Sequence, residues 1–339
     1  MKSSMRAAVV EGPGRVAVRT VPVPPRDGRA LVRVDQAGIC GTDLKIAAGS
    51  VPVAASRVMG HEMTGRVEVA AGNGRVPAGT RVLVNPGVFC GRCDLCGRGL
   101  PNICRNGGLL GRDLDGCFAE LIAVPGELLH PIPDSLPADD AALLQVLATC
   151  VHAQVSPEPL RTAAVVGLGV TGLLHVQLLA VRGIETIVGI TRSAWKRDLA
   201  ARFGAGVVAA PDDAAEAVAR ASGGRGADLV IECAGTAETL AQSMRLAGPG
   251  GTVVVFGTTA PAADGLPTYQ WYYNELTIRC PRAQRPGDCD EAIALAASGR
   301  VELAPLVTAR FPLAAAAGAL RACEDPTQLK VVLDIPAVQ

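Results

Sequence analysis

Apolar positions follow two different rhythms along the chain. From Met5 to about Leu144 they come in short runs, many alternating with polar residues and separated by turn residues: ALVRVD, GRVEVA, TRVLVNP and CFAELIAV. A period of two marks half-buried strands, so this part is predicted to be mostly β. From about Arg161 the rhythm changes. Apolar runs (TAAVVGLG, TIVGIT, ADLVIECAG, GTVVVFGT, ELTIRC) now alternate with Ala- and Leu-rich stretches of helical period, GVTGLLHVQLLAVRG, AWKRDLAARFGA and a segment through Thr239 to Leu246. Strands separated by helices are joined by right-handed crossovers and build a parallel sheet. The last part carries a further helix, DCDEAIALAASG, a plain alanine-rich helix, LAAAAGAL, and a closing strand, LKVVLDI, that can return to the first domain. No internal repeat or low-complexity segment interrupts this order.

A chain of 339 residues can bury two separate cores, so two domains are expected. Lys plus Arg and Asp plus Glu balance at 32 each, with no basic run. That balance argues against nucleic acid or an anionic membrane as partner and in favour of a small molecule. Apolar residues reach 49% but are broken up by Gly, Pro and charges, and no run is long enough to span a bilayer. The opening MKSSMRAAVV does not have the pattern of a secretory signal, so a soluble protein in a reducing cytoplasm is expected.

Under those conditions the stretch CGRCDLCGRGLPNIC, with four of the eleven cysteines, is read as a metal site and not as disulfides. Cys90, Cys93, Cys96 and Cys104 can bring four thiolates onto one ion, and a tetrahedral sulfur set favours zinc. An iron–sulfur cluster uses similar spacing and is the alternative. With all four positions filled, no vacancy is left for a substrate. The site therefore ties down a loop, and catalysis must lie elsewhere.

The segment VVGLGVTG stands where a strand ends and a helix begins, with Gly167, Gly169 and Gly172 in G-x-G-x-x-G spacing and Val170 opening the helix. The first glycine permits the tight turn, the second lets backbone approach a pyrophosphate, and the third allows close helix–strand packing. The alternative is a glycine-rich turn in an unrelated α/β fold. The next strand, TIVGIT, ends in Thr191 followed by Arg192 and Ser193, where an NAD enzyme carries an acidic residue. Arg192 can pair with a ribose phosphate, and Lys196 lies one helical turn on, so NADP is favoured over NAD. The competing reading makes Arg192 a solvated surface arginine.

Two further motifs carry metal-type residues: GICGTD around Cys40, and MGHE around His61 and Glu62. With the cysteine loop and the glycine fingerprint, in this order, they resemble the zinc-dependent medium-chain alcohol dehydrogenases, over nearly the whole chain. The resemblance implies an α/β fold in which residues 1–145 and 290–339 form a GroES-like β-barrel catalytic domain with two zinc sites. Residues 146–289 form an inserted Rossmann nucleotide-binding domain with a doubly wound parallel sheet.

Carried over by resemblance, Cys40 and His61 are catalytic zinc ligands, Glu62 is the adjacent carboxylate that ligates the zinc or exchanges with water, and Asp43 orients the ligand histidine. Gln145 stands where relatives place a Glu or a Cys, so it would ligate weakly or through water; some sugar dehydrogenases of the family share Gln here, which points towards a sugar-like substrate. Thr42 takes the position of the hydroxyl that receives the substrate proton. Lys45 replaces the relay histidine of simpler members; it either relays, hydrogen-bonds substrate or is merely solvated. Lys330 matches a basic position that reaches the cofactor pyrophosphate, against the plainer reading of a solvated strand-end lysine.

The implied protein is a zinc enzyme with two zinc ions per chain, preferring NADP(H) to NAD(H). It would interconvert a secondary alcohol and a ketone on a sugar, polyol, cyclitol or aminocyclitol, as a homodimer or homotetramer. A threonine or amino-alcohol dehydrogenase is the alternative within the family, and a non-catalytic nucleotide-binding protein the alternative of another class. Cys117, Cys150, Cys233, Cys280, Cys289, Cys323, His130, His152 and His175 lack ligand spacing and are read as structural. The aromatic cluster YQWYYNEL is assigned to the substrate pocket or a subunit contact.

Overall fold

The computed structural model describes residues 3–72, 74–154, 160–257 and 265–335. The chain divides into two units, one of residues 1–148 with 283–339 and the other of residues 149–282. The helix Pro286–Ala297 therefore belongs wholly to the first unit, although a boundary at 290 was expected. Its Asp290 carboxylate lies 2.7 Å from Nδ1 of the buried His130 in that unit, a tie that sequence spacing does not reveal.

In the first unit, Ala30–Gly38 is the organising strand. It alternates Val32 and Val34 into the core and pairs with Glu62–Val69, with Leu121–Val124 and with the closing strand Lys330–Asp334. The closing strand does return to the first part of the chain, antiparallel to Ala30–Gly38. Among the described residues this sheet has seven strands, continuing through Arg81–Val84 to Leu129–Pro131 on one side and ending at Val307–Pro312 on the other. Met59, Met63, Phe118, Leu128 and Leu333 fill the core against it. A separate hairpin, Ser4–Gly12 with Arg15–Pro22, packs Met5, Ala7 and Val9 against Val58 and Ala119.

The second unit holds a parallel sheet of six strands among the described residues. Their order in space is Val207–Ala209, Thr186–Ile190, Thr162–Val166, Ala227–Glu232, Ala247–Val255 and Thr277–Arg279. The chain starts at Thr162–Val166, winds outward to one edge, then returns to Ala227–Glu232 and winds to the other. The reversal lies between these two central strands, and ligands of such sheets bind beyond the strand ends at that switch point. The five strands expected here all form. The short strand Val207–Ala209 and the helix Ala214–Ser222 that follows it complete one edge and were not anticipated.

Candidate active site

Cys40 sits at the N-terminus of the helix Gly41–Ala47. Asp43, three residues on, reaches back so that its Oδ2 accepts from the Cys40 N–H at 2.9 Å, which supplies a partner to an otherwise orphaned helix-start donor. Its other oxygen, Oδ1, faces His61 Nδ1 at 3.6 Å, with the Asp43 side chain wholly buried. His61 is aimed by the turn before it. Gly60 has φ +90°, and a Cβ there would meet the Phe118 ring at 2.2 Å, so only glycine fits. Glu62 then opens the strand Glu62–Val69.

One ligand atom each from Cys40, His61 and Glu62 lies within 4.8 Å of the others. Thiol, imidazole and carboxylate together form a zinc-type donor set short of four protein ligands, as catalytic sites are. His61 Nδ1 and Asp43 Oδ1 have no hydrogen-bond partner; with Nδ1 turned to Asp43, the other ring nitrogen is the one left for a metal. The electrostatics point the same way. Burial opposes charge on His61, yet the Asp43 carboxylate and Cys40 outweigh it and hold the imidazole well above its ordinary value. Three acidic groups packed around one point favour a cation there. These residues fit zinc.

Gln145, on the helix Leu144–Ala153, is buried and donates from Nε2 to Gln284 Oε1 at 3.1 Å. Thr42 is half-buried and Lys45 exposed on the helix that begins at Gly41. Lys330 requires a correction. Its ammonium is not the solvated strand-end group of the plainer reading; it is buried, 2.6 Å from Glu62 Oε2, and donates to the Ile39 carbonyl at 2.9 Å. Because Gly38 pairs with both Val332 and Glu62, the first residues of two strands distant in sequence come together across it. Gly38, Gln284 and Asn85 were not singled out from sequence, since glycine in a strand and lone amides carry no chemical signature.

The cysteine loop gathers Cys90, Cys93, Cys96 and Cys104, their sulfur atoms within 4.8 Å of one another, and none of the eleven cysteines is in a disulfide. The backbone N–H of Arg92 helps pull Cys90 down to about 6, and the Cys90 N–H donates to Cys104 Sγ at 3.3 Å. Amides aimed at sulfur stabilise thiolates, so this set also fits a four-sulfur metal site. Arg105 braces the loop through a two-pronged contact to Asp94 at 2.6 and 2.9 Å.

In the second unit, the fingerprint glycines separate by role. Gly167 has φ +92°, and a Cβ there would meet the Ala234 nitrogen at 2.8 Å. A Cβ on Gly172 would meet the Gly167 carbonyl at 2.0 Å, which enforces close helix–strand packing. A Cβ on Gly169 would meet nothing within 4 Å, and this glycine caps the helix Val170–Val181. That position lies at the switch point and suits a pyrophosphate on a helix N-terminus.

Thr191, Arg192 and Ser193 follow the strand Thr186–Ile190. Arg192 is exposed, and Ser193 starts the helix Ala194–Arg202 without spending its hydroxyl on the cap. Arg197 holds this corner by donating to the Thr191 and Arg192 carbonyls at 2.7 and 3.0 Å, a brace the sequence reading missed. Lys196 is half-buried, its Nζ 5.1 Å from the centre of the Trp195 ring.

Among the residues read as structural, His175 and Cys150 are fully buried and Cys280 is exposed. Tyr269, Tyr272 and Tyr273 are exposed on the helix Thr268–Tyr273, while Trp271 packs towards the core of the second unit. No helix among the described residues is long and apolar enough to cross a membrane.

Comparison with known proteins bears on both units. The alcohol dehydrogenase GroES-like domain matches residues 26–134, and the zinc-binding dehydrogenase family matches residues 170–298. A probable zinc-binding alcohol dehydrogenase of Mycobacterium tuberculosis is 33% identical over 92% of this chain and 84% of its own. The 2-dehydro-3-deoxy-L-galactonate 5-dehydrogenase of Pseudoalteromonas atlantica is 30% identical over 94% of each. Among solved structures, a zinc-binding dehydrogenase of Sinorhizobium meliloti bound to NADP superposes with a TM-score of 0.90 at 34% identity, covering 99% of this chain and 100% of its own.

Proposed function

The chain belongs to the zinc-binding alcohol dehydrogenases, oxidoreductases that act on CH–OH groups, and on that premise we propose that it interconverts a secondary alcohol and a ketone on a polyhydroxylated small molecule. In this reading it prefers NADP(H) to NAD(H), holds two zinc ions per chain and works in the cytoplasm as a homodimer or homotetramer. The observation that carries it is the convergence of Cys40, His61 and Glu62 on one point, backed by the buried Asp43. The Pseudoalteromonas relative, named for a sugar-acid substrate, supports the substrate class. The NADP-bound Sinorhizobium structure and the absence of a carboxylate after Ile190 support the cofactor preference.

Cys40, His61 and Glu62 would hold the catalytic zinc, and Cys90, Cys93, Cys96 and Cys104 the structural one. Zinc and the nicotinamide, when bound, supply Lewis-acid polarisation of the alcohol or carbonyl oxygen and the hydride acceptor or donor. Asp43 keeps the His61 ring in one orientation. Thr42, at the start of the same helix as Asp43, offers a hydroxyl that relays the substrate proton, passing its own proton on to water as it takes the substrate's in oxidation and running the reverse in reduction. The Gly169 amide region binds the pyrophosphate, and Arg192, steadied by Arg197, pairs with the ribose phosphate.

A steady-state screen tests this, following reduced-cofactor absorbance with NADP and NAD in parallel across sugars, inositols, aminocyclitols, linear polyols, threonine and simple alcohols, and across the matching ketones in the reductive direction. Turnover of a cyclic or linear polyol with NADP is the expected result. Turnover confined to threonine or simple alcohols would remove the substrate class, and equal use of NAD would remove the cofactor preference.

A further inference from the structure

Three buried amides form a chain with a fixed direction in the first unit. The Gly87 N–H donates to Asn85 Oδ1 at 3.1 Å. Gln284 Nε2 donates to that same oxygen at 3.0 Å, and Gln145 Nε2 donates to Gln284 Oε1 at 3.1 Å. Asn85 and Gln284 are each 2% exposed and Gln145 6%, so water does not compete for these bonds. An isolated amide can turn over and exchange its oxygen for its nitrogen. This chain cannot, because its far end is a backbone N–H, which only donates. Asn85 must therefore present oxygen, Gln284 must present nitrogen to Asn85 and oxygen to Gln145, and Gln145 must spend its nitrogen on Gln284.

The Asn85 end of the chain can be placed against the candidate catalytic cluster by strand register. Glu62–Val69 and Arg81–Val84 are antiparallel, with Thr64 opposite Leu83. Carried on two residues, that register brings Asn85 level with Glu62. We propose that Asn85 and Gln284 are positioning residues that lock Gln145 so that its carbonyl oxygen, and never its NH₂, is presented to the catalytic metal. This rests on the zinc site proposed above. It explains how a neutral amide can serve where a charged ligand is more usual. The oxygen does not compete with rotation of its own amide, and Gln284 polarises it by accepting from the nitrogen.

The test replaces the metal with cobalt and compares absorption spectra of the wild type, Gln145→Leu, Gln284→Leu, Gln284→Glu and the Q145L/Q284L double variant. Difference spectra cancel the contribution of the four-cysteine site, and thermal melts report folding. Gln284→Leu is expected to give the same spectral change as Gln145→Leu and to lower kcat/KM about 10- to 100-fold, leaving KM for the nicotinamide cofactor unchanged. The double variant should be no worse than Gln145→Leu alone. In its protonated form, the carboxylic acid introduced by Gln284→Glu can donate to Asn85 and accept from Gln145. Gln284→Glu should therefore recover most of the wild-type spectrum even if the leucine variant folds poorly.

A wild-type spectrum in Gln145→Leu or in Gln284→Leu overturns the proposal, as do losses in the two single variants that multiply in the double. Failure of the parent reading looks different: the wild type itself would take up only one metal per chain or turn over no alcohol.

Discussion

Lys330 Nζ lies 2.6 Å from Glu62 Oε2, with both side chains withdrawn from solvent. Room for this pair comes from the intervening strand, because a Cβ on Gly38 would meet Glu62 Oε2 at 2.3 Å. The lysine thus balances part of the negative charge that Cys40, Asp43 and Glu62 bring to the site. Breaking a buried ion pair by removing one partner costs about 3–5 kcal/mol, because the other charge is left uncompensated. Zinc beside Glu62 would supply that compensation. Lys330→Met is therefore expected to lower the melting temperature of the metal-free protein much more than that of the zinc-loaded protein. Calorimetry with and without zinc checks this, and an equal drop in both forms contradicts the role assigned to the pair.

The two cysteine-containing clusters should fail in different ways. Cys40→Ala removes the thiolate from the catalytic cluster, so metal analysis should fall from two zinc ions to one per chain and turnover should vanish while the fold persists. Cys93→Ala opens a closed set whose binding energy helps hold the loop. Lower thermal stability or altered assembly should come first there. Selective loss of catalysis from a fully folded Cys93→Ala protein would contradict the structural assignment.

Arg192 is exposed and its corner is held by Arg197 through backbone carbonyls, so removing its guanidinium should leave the loop intact. A hydrogen bond to a charged group contributes roughly 1.5–3 kcal/mol. For Arg192→Ala that predicts a rise of about 10- to 100-fold in KM for NADP, with KM for NAD little changed. Parallel rises for both cofactors would show that no phosphate is clamped there.

Glycines of the fingerprint give a sharper contrast. A Cβ at position 172 collides with the Gly167 carbonyl at 2.0 Å, whereas one at position 169 meets nothing within 4 Å. Gly172→Ala should therefore depress the melting temperature. Gly169→Ala should melt near the wild type yet bind the cofactor weakly, because its methyl group fills the space meant for phosphate. Titration of cofactor binding alongside melting curves separates the two.

The parts legible in sequence were those whose chemistry demands a residue type at a fixed spacing. The four-cysteine loop, the glycine fingerprint and the Cys40 and His61–Glu62 motifs are local, and the structure brings each together within itself or with its neighbour. Strand and helix alternation after Arg161 was visible because buried parallel strands are nearly continuous apolar runs. Val207–Ala209 escaped notice because a three-residue edge strand makes too short a run. The contact of Lys330 with Glu62 was hidden for another reason. At the sequence level a lysine opening a strand looks solvated or ligand-facing, and its actual partner lies in a strand near the other end of the chain, joined only through shared pairing with Gly38. The amide chain from Asn85 through Gln284 to Gln145 is hidden likewise, since nothing local distinguishes a buried glutamine from an exposed one.

His175 offers a test by pH that is independent of either metal cluster. It is wholly buried in the second unit, edge-on to Phe256 with ring centres 4.7 Å apart, and its Nδ1 lies 2.9 Å from Gln154 Nε2. Burial, with a smaller contribution from the Arg182 charge, pushes its pKa down to about 3 from an ordinary 6.5. The ring is therefore neutral in the folded protein, and because Gln154 donates, Nδ1 is the accepting nitrogen. Below pH 6.5 the unfolded chain takes up a proton at this position and the folded chain does not. Unfolding is then favoured as the pH falls, and the stability tied to a neutral ring is present above about pH 6.5 and declines towards pH 3. A glutamine side chain keeps an acceptor without the titration, so His175→Gln should flatten the acid side of the stability profile relative to the wild type. Denaturant unfolding of the two proteins between about pH 4 and 7 measures the slopes, and identical slopes would show that the ring does not titrate on unfolding in this range.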